Sequence, residues 1–167
     1  MSSPIIGVTE QIRTALLETL QSNLPTLLAA QGGPIIAAWL PYLPTAFPPI
    51  LPLVAIDCRG WRQPEAGFSA AGADSVGLRL YDFTIFCALE APDAPTLETA
   101  ASQVLDALAA LLDDATKRTL GLENVFDLWP TAAALSEKAV RETSELCQVA
   151  KVDVTVSWWH QIATQDA

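Results

Sequence analysis

The sequence predicts an α+β fold in a single domain, residues 1–167, with a mostly antiparallel mixed sheet packed against two main amphipathic helices. Three observations predict it. Apolar residues recur every three or four positions near the start and again from Leu97 to Leu112. Two long stretches, Val76–Glu90 and Ser144–Trp159, are rich in β-branched and aromatic residues, and much of each alternates. The glycines and prolines fall largely between these segments.

The first helix is expected from about Gly7 to Asn23. Ile5, Val8, Ile12, Leu16 and Leu20 form one apolar stripe, with Thr9, Glu10, Arg13, Glu18 and Gln21 mostly off it. Pro25 should end or kink it, with a further turn over Thr26–Ala30 before Gly32-Gly33. A proline-rich apolar connector follows, at about residues 32–52. No charged side chain occurs from Thr19 to Ile56, yet Pro34, Pro41, Pro44, Pro48, Pro49 and Pro52 forbid a single membrane-spanning helix.

Ile50–Cys58 reads as a buried strand whose start, at Pro52, is on an edge or bulged. Arg59–Ser75 reads as a long loop. Val76–Glu90 is a strand long enough to carry a bulge near Tyr81-Asp82. The second helix begins near Pro95 or Thr96, and its face is Leu97, Ala101, Val104, Leu105, Leu108, Leu111 and Leu112. The spacing of Asp113 with Lys117 and of Asp114 with Arg118 extends it to about Thr119, with Gly121 as the stop. Val125–Trp129 is a short strand closed by Pro130, and Thr131–Thr143 is ambiguous, its three alanines favouring helix. In the last strand Val152, Val154, Val156 and Trp158 face one way; Lys151, Asp153, Thr155 and Ser157 face the other. Trp159 must therefore point away from Trp158 and is a candidate partner contact.

The chemistry is sparse. The chain is 167 residues long, 51% apolar, with mean hydropathy +0.31 and net charge −10, which argues against disorder and against gripping nucleic acid or an anionic membrane. Cys58, Cys87 and Cys147 are too far apart for a zinc motif, and an odd count argues against a disulfide framework; buried thiols in a reducing cytoplasm are expected. Met1-Ser2-Ser3-Pro4 lacks the basic and apolar regions of a signal peptide. The one histidine, His160, reads as a surface residue at a strand end, and its spacing from Ser157 does not make a dyad. The Asp113-Asp114 pair reads as a solvated helix face, and no glycine pattern suggests a phosphate cradle. No catalytic, cofactor or metal residue is assigned.

The order of these elements resembles the tail terminator proteins of tailed bacteriophages, most nearly those of contractile, Mu-like tails and related tail-derived particles. The likeness is carried by the helix Val8–Leu20, the proline-bearing approach to a strand at Leu51–Cys58, and the strand ending Tyr81-Asp82-Phe83-Thr84-Ile85-Phe86-Cys87. The helix from Leu97 to Leu108 and the closing strand Val149–Trp159 complete it. The resemblance implies a structural virion protein without catalysis or cofactor. It would form a homo-oligomeric ring, usually a hexamer, at the neck-proximal end of the tail after assembly in the bacterial cytoplasm. The ring would cap the tail tube protein, stop its polymerisation, and meet neck or head–tail connector proteins and, in contractile tails, the sheath. DNA would pass without specific binding. A ring would also bury part of the apolar excess, and Trp39, Tyr42, Phe47 and Trp159 are the candidate interface residues.

The charge is uneven: residues 1–90 hold seven acids and four bases, residues 91–167 twelve and five. That suits an acidic channel lining and equally a solubilising surface. Two other readings remain open: a neck or tail-completion ring protein, and a small-molecule-binding or enzymatic α+β domain with the Arg59–Ser75 loop over a pocket.

Overall fold

A computed structural model describes residues 7–46, 50–64 and 76–161. In chain order the elements are helix α1 (Val8–Ala30), strands β1 (Ala38–Leu40), β2 (Leu53–Arg62) and β3 (Val76–Ala91), helix α2 (Ala94–Asp113), and strands β4 (Val125–Leu135), β5 (Ala139–Val140) and β6 (Leu146–Gln161). The sheet order is β1-β2-β3-β6-β4, with β5 also paired to β6. Among the described residues only the β1–β2 pair is parallel. The fold is therefore α+β with a mixed, mostly antiparallel sheet, as the sequence predicts.

Both helices lie on one face of the sheet. Ile12, Leu16 and Leu20 of α1 are fully buried there, and Leu24 and Leu28 continue the stripe. From α2 come Leu97, Ala101, Val104, Leu108, Leu111 and Leu112. The sheet answers with Val54 and Ile56, with Phe83, Ile85, Cys87 and Leu89, and with Val152, Val154, Val156 and Trp158. Ile5 and the Met1–Pro4 segment lie outside the described residues.

Pro25, expected to end or kink helix α1, does not end it, and the further turn expected over Thr26–Ala30 is continuous with the helix. Proline removes one N–H and leaves the Gln21 carbonyl without its helical donor. Pro25 and Gln21 both face solvent, where water can satisfy that carbonyl, while Leu24 and Leu28 keep the buried face intact.

The connector is not without regular structure. Its Ala38–Leu40 segment pairs in parallel with Leu53–Ala55 of β2. A parallel neighbour can be reached only by a return crossover. The proline-stiffened residues after β1 supply that return, and the Pro52 carbonyl accepts from the amides of Ala37 and Ala38 at 2.8 and 3.3 Å. Pro52 itself precedes β2 and lies neither on an edge nor in a bulge of that strand.

Strand β2 extends to Arg62, so Arg59–Arg62, expected as loop, is strand; residues 65–75 of that loop lie outside the described residues. The bulge expected on β3 falls instead on β2, between Cys58 and Gly60, opposite Phe83 and Asp82. Gly60 takes φ +118 there, which its missing Cβ permits. Strand β3 keeps an unbroken register with β6 over its whole length.

Helix α2 starts on Asp93, whose carboxylate accepts from the Thr96 amide at 2.8 Å. It ends at Asp113, not near Thr119. Asp114 turns out of the helix and its carboxylate accepts from the amide and hydroxyl of Thr116 at 2.9 and 2.7 Å. The helical Asp114–Arg118 pair is thus replaced, and Arg118 reaches Asp127 at 3.7 Å. The expected stop, Gly121, sits at φ +70 in the turns that follow.

The Asp93 cap carries a pH signature. The hydrogen bonds from the Thr96 amide and hydroxyl hold its carboxyl below the ordinary value of 3.8. Its ionised form therefore favours the folded chain above 3.8, and that contribution fades as pH falls through the lower folded-state value. Asp93→Asn keeps a capping acceptor without a titrating group. Melting temperatures at pH 6 and pH 3 should differ less in this variant than in the parent.

Strand β4 overturns two further expectations. It is not closed by Pro130, and Ala132–Ala134 are strand, not helix. As an outer strand it tolerates a residue without an amide donor, and a bulge between Pro130 and Ala132 absorbs the irregularity. Of the thiols, Cys87 is buried as expected, but Cys58 and Cys147 are half-buried. Burial pushes the Cys87 thiol up to about 12, so it stays un-ionised at neutral pH.

Candidate functional site

The helix-free face of the sheet is built from the opposite strand positions. Leu53, Ala55 and Asp57 come from β2; Leu78, Leu80, Asp82, Thr84, Phe86 and Ala88 from β3; and Val149, Lys151, Asp153, Thr155, Ser157 and Trp159 from β6. It divides into three zones along the strands. At one end Leu53, Ala55, Phe86 and Ala88 form a second, smaller apolar cluster, with Lys151 over the Phe86 ring at 5.4 Å.

The middle zone is polar. Asp57, Thr84 and Asp153 are register partners in one row, and Asp82 with Thr155 in the next. The Thr84 hydroxyl donates to Asp153 at 2.6 Å and the Thr155 hydroxyl to Asp82 at 2.7 Å. Arg62 pairs with Asp82 at 3.0 Å. Thr84, Thr155 and Ser157 are almost fully buried, although this is the face away from the helices. Strand β6 is central, and flanking side chains shield these small groups; the hydroxyls are satisfied within the sheet.

The third zone is aromatic. A bulge between Val125 and Asp127 sets Phe126 outside the regular pairing. Phe126 meets Trp159 edge-on, with ring centroids 5.5 Å apart. The pair is strongly solvent-exposed, Phe126 at 61% and Trp159 at 38%. The Ser157 hydroxyl holds this bulge, taking the Asp127 amide at 2.9 Å and donating to the Asp127 carbonyl at 3.1 Å. A cavity of about 410 Å³ opens beside it, lined by Arg62, Leu78, Leu80, Phe126, Trp129 and Ser157. On the helix side of the same end, Arg79 lies over the exposed Trp61 ring at 4.3 Å.

Removing the Ser157 hydroxyl leaves the Asp127 amide without its partner. Ser157→Ala is expected to cost about 1–3 kcal/mol, as for other buried unmade hydrogen bonds. A urea titration measures the loss, and near-UV circular dichroism should report the freed Phe126–Trp159 pair.

Ser157 and His160 point to opposite faces and form no dyad. His160 lies within β6 and shares a 2.9 Å hydrogen bond with the Tyr81 hydroxyl. Its pKa is lowered from 6.5, first by burial and then by the Arg79 charge, so the imidazole is neutral at pH 7. Among the described residues no three His, Cys, Asp or Glu side chains gather as metal ligands. No helix among them is long and apolar enough to cross a membrane.

No protein-family model matches the chain, and no curated protein matches it. Among solved structures the chain is similar to one described as "Virion of native gene transfer agent (GTA) particle", at 16% identity and a TM-score of 0.48, over 88% of this chain and 94% of that one. So loose a likeness carries no argument about function, which has to rest on this chain's own residues.

The structure does not bring the candidate interface residues together. Trp39 lies on the outer strand β1 and packs partly against the main core. Tyr42 is 57% exposed but has partners in its own chain: the Arg13 guanidinium lies 4.5 Å from its ring centre, and its hydroxyl reaches Glu10 at 3.5 Å. Arg13 in turn pairs with Glu10. Phe47 lies outside the described residues. Trp159 is at the far side of the sheet, with Phe126. Sequence reading missed Phe126 and Trp61, because nothing in the sequence marks the bulge or the extension of β2. It also missed the outer edge of β4, where Thr131–Leu135 are all exposed.

Proposed function

We propose that the chain is a structural ring subunit of a phage-type tail, of the terminator kind, rather than an enzyme. The observation that carries this reading is the aromatic end of the sheet. Trp61, Phe126 and Trp159 are exposed there on both faces, beyond the reach of the helices. Large exposed aromatics beside an apolar hollow are the side chains that dominate protein–protein contacts. The order of elements resembling tail terminators supports the same reading. Asp57, Asp82 and Asp153 on the helix-free face suit a wall that DNA passes without adhering. The partners are other copies of the chain, the tail tube, and neck or connector proteins, with the sheath as a further contact. A neck-ring role draws on the same features.

Absolute mass by light scattering at several concentrations, with and without purified tail tubes, tests the reading. A hexamer of a 17.8 kDa chain weighs about 107 kDa. Rings that cap tubes and halt their growth are the expected result. A monomer in solution that also leaves tube growth unchanged overturns it. The 410 Å³ cavity favours a second reading, a small-molecule site. A ligand-dependent rise in melting temperature without assembly would support that instead.

A further inference from the structure

We infer that the outer edge of β4 pairs with β1 of a second copy, so that the sheet continues from subunit to subunit. The inference rests on the ring reading above and names the surface that closes the ring.

An outer strand leaves a row of amide and carbonyl groups unpaired, and natural proteins blunt such rows with charges, prolines and bulges. The first half of β4 is blunted by Pro130 and the bulge beside it. The second half is not. Thr131–Leu135 is exposed throughout, and no charged residue occurs from Leu128 to Ser136. At the opposite edge, Ile35–Leu40 is free of both charge and proline, and Ile35 is 87% exposed. Among the described residues β1 pairs on one side only, with β2.

Two copies of a chain with net charge −10 repel, so contact is favoured where neither presents an acid. These two edges satisfy that condition. They are different surfaces at opposite ends of one sheet, as a head-to-tail ring requires. The strand directions also agree. β1 and β2 run together, β3 opposes them, β6 opposes β3, and β4 opposes β6. β4 is therefore antiparallel to β1. Rotation about an axis along the strands brings β4 of one copy beside β1 of the next in the antiparallel sense, the more stable pairing.

The test is a cysteine cross-link. Ala38 lies on the helix-free face of β1, and Ala132 and Ala134 lie on the same face of β4. Within one chain, three strands separate β1 from β4. At roughly 4.8 Å per strand step, that is about 19 Å. A disulfide needs Cα atoms within about 7 Å. Any bond between the two introduced cysteines is therefore between copies. The double variants Ala38→Cys/Ala132→Cys and Ala38→Cys/Ala134→Cys, in a Cys58→Ser/Cys147→Ser background that removes the two half-buried native thiols, are oxidised as assembled and run on non-reducing gels beside the single variants.

A ladder of covalent oligomers ending at the assembled mass, in at least one double variant and in no single variant, is the expected result. Assembled rings without that ladder overturn the edge pairing and leave the ring standing. A covalent dimer from a β4 single variant alone also overturns it, in favour of a two-fold β4–β4 contact. A chain that assembles neither alone nor on tubes overturns both readings.

Discussion

Replacing Phe83 by alanine is expected to lower the unfolding free energy by about 3–5 kcal/mol. Phe83 is wholly inaccessible and is among the largest fully buried side chains. It sits on β3, paired on one side with Cys58 of β2 and on the other with Val154 of β6, and it faces the two helices. A cavity there lies where sheet and helices meet, and the flanking strands hold the backbone against collapse into it. Against a typical stability of about 5–15 kcal/mol, that is a large fraction of the whole. Urea unfolding should show a lower midpoint at an unchanged slope, because the surface exposed on unfolding hardly changes. A loss below about 1 kcal/mol would mean that the core repacks around the site.

The second large effect concerns assembly rather than folding. The double variant Ala132→Asp/Ala134→Asp puts two acids on the uncharged half of β4. Both positions are exposed, so the monomer should keep its far-UV circular dichroism, within the small range usual for surface changes. The assembled mass should fall to that of the 17.8 kDa chain, because acids on a strand edge disfavour its pairing and add to the repulsion between copies of net charge −10. Persistence of the assembled mass at physiological salt would place the joint elsewhere. The aromatic end is the next place to look, beginning with Phe126→Ala and Trp159→Ala.

Where one periodicity dominates, the fold is legible in the sequence. The 3.6-residue stripes of α1 and α2 and the alternation of Val152, Val154, Val156 and Trp158 identify most of the buried faces; Arg13, expected off its stripe, is buried, and Leu105, expected on its face, is only partly so. Non-local terms decide the rest. Pro25 is tolerated because it faces water, which only the packed helix reveals. Ala132–Ala134 have helical propensity but lie beside β6, and cross-strand pairing outweighs a few tenths of a kcal/mol per alanine. The acid–base spacing after Asp113 suggested more helix, yet Thr116 captures the Asp114 carboxylate in a turn. The site was less legible than the fold. Trp159 was placed correctly, by alternation from Trp158. Its partner Phe126 depends on a bulge held by Ser157, thirty residues away, and no local pattern encodes that contact.

The place of β6 bears on how the chain is made. It follows the other described elements in the chain and is one of the most central strands of the sheet. Its partners on β3 range from Ala91, matched with Leu146, to Val76, matched with Gln161. Until β6 emerges, β3 has only β2 to pair with, and the apolar faces of α2 and β4 have no strand between them. Such long-range pairing is slow, because loop-closure entropy is lost before the contacts form. A nascent chain that stops short of β6 would therefore carry both helices and five strands without a closed core. A chain made only as far as β5 has no finished sheet for its helices to cover, so the folding of this unit waits on β6.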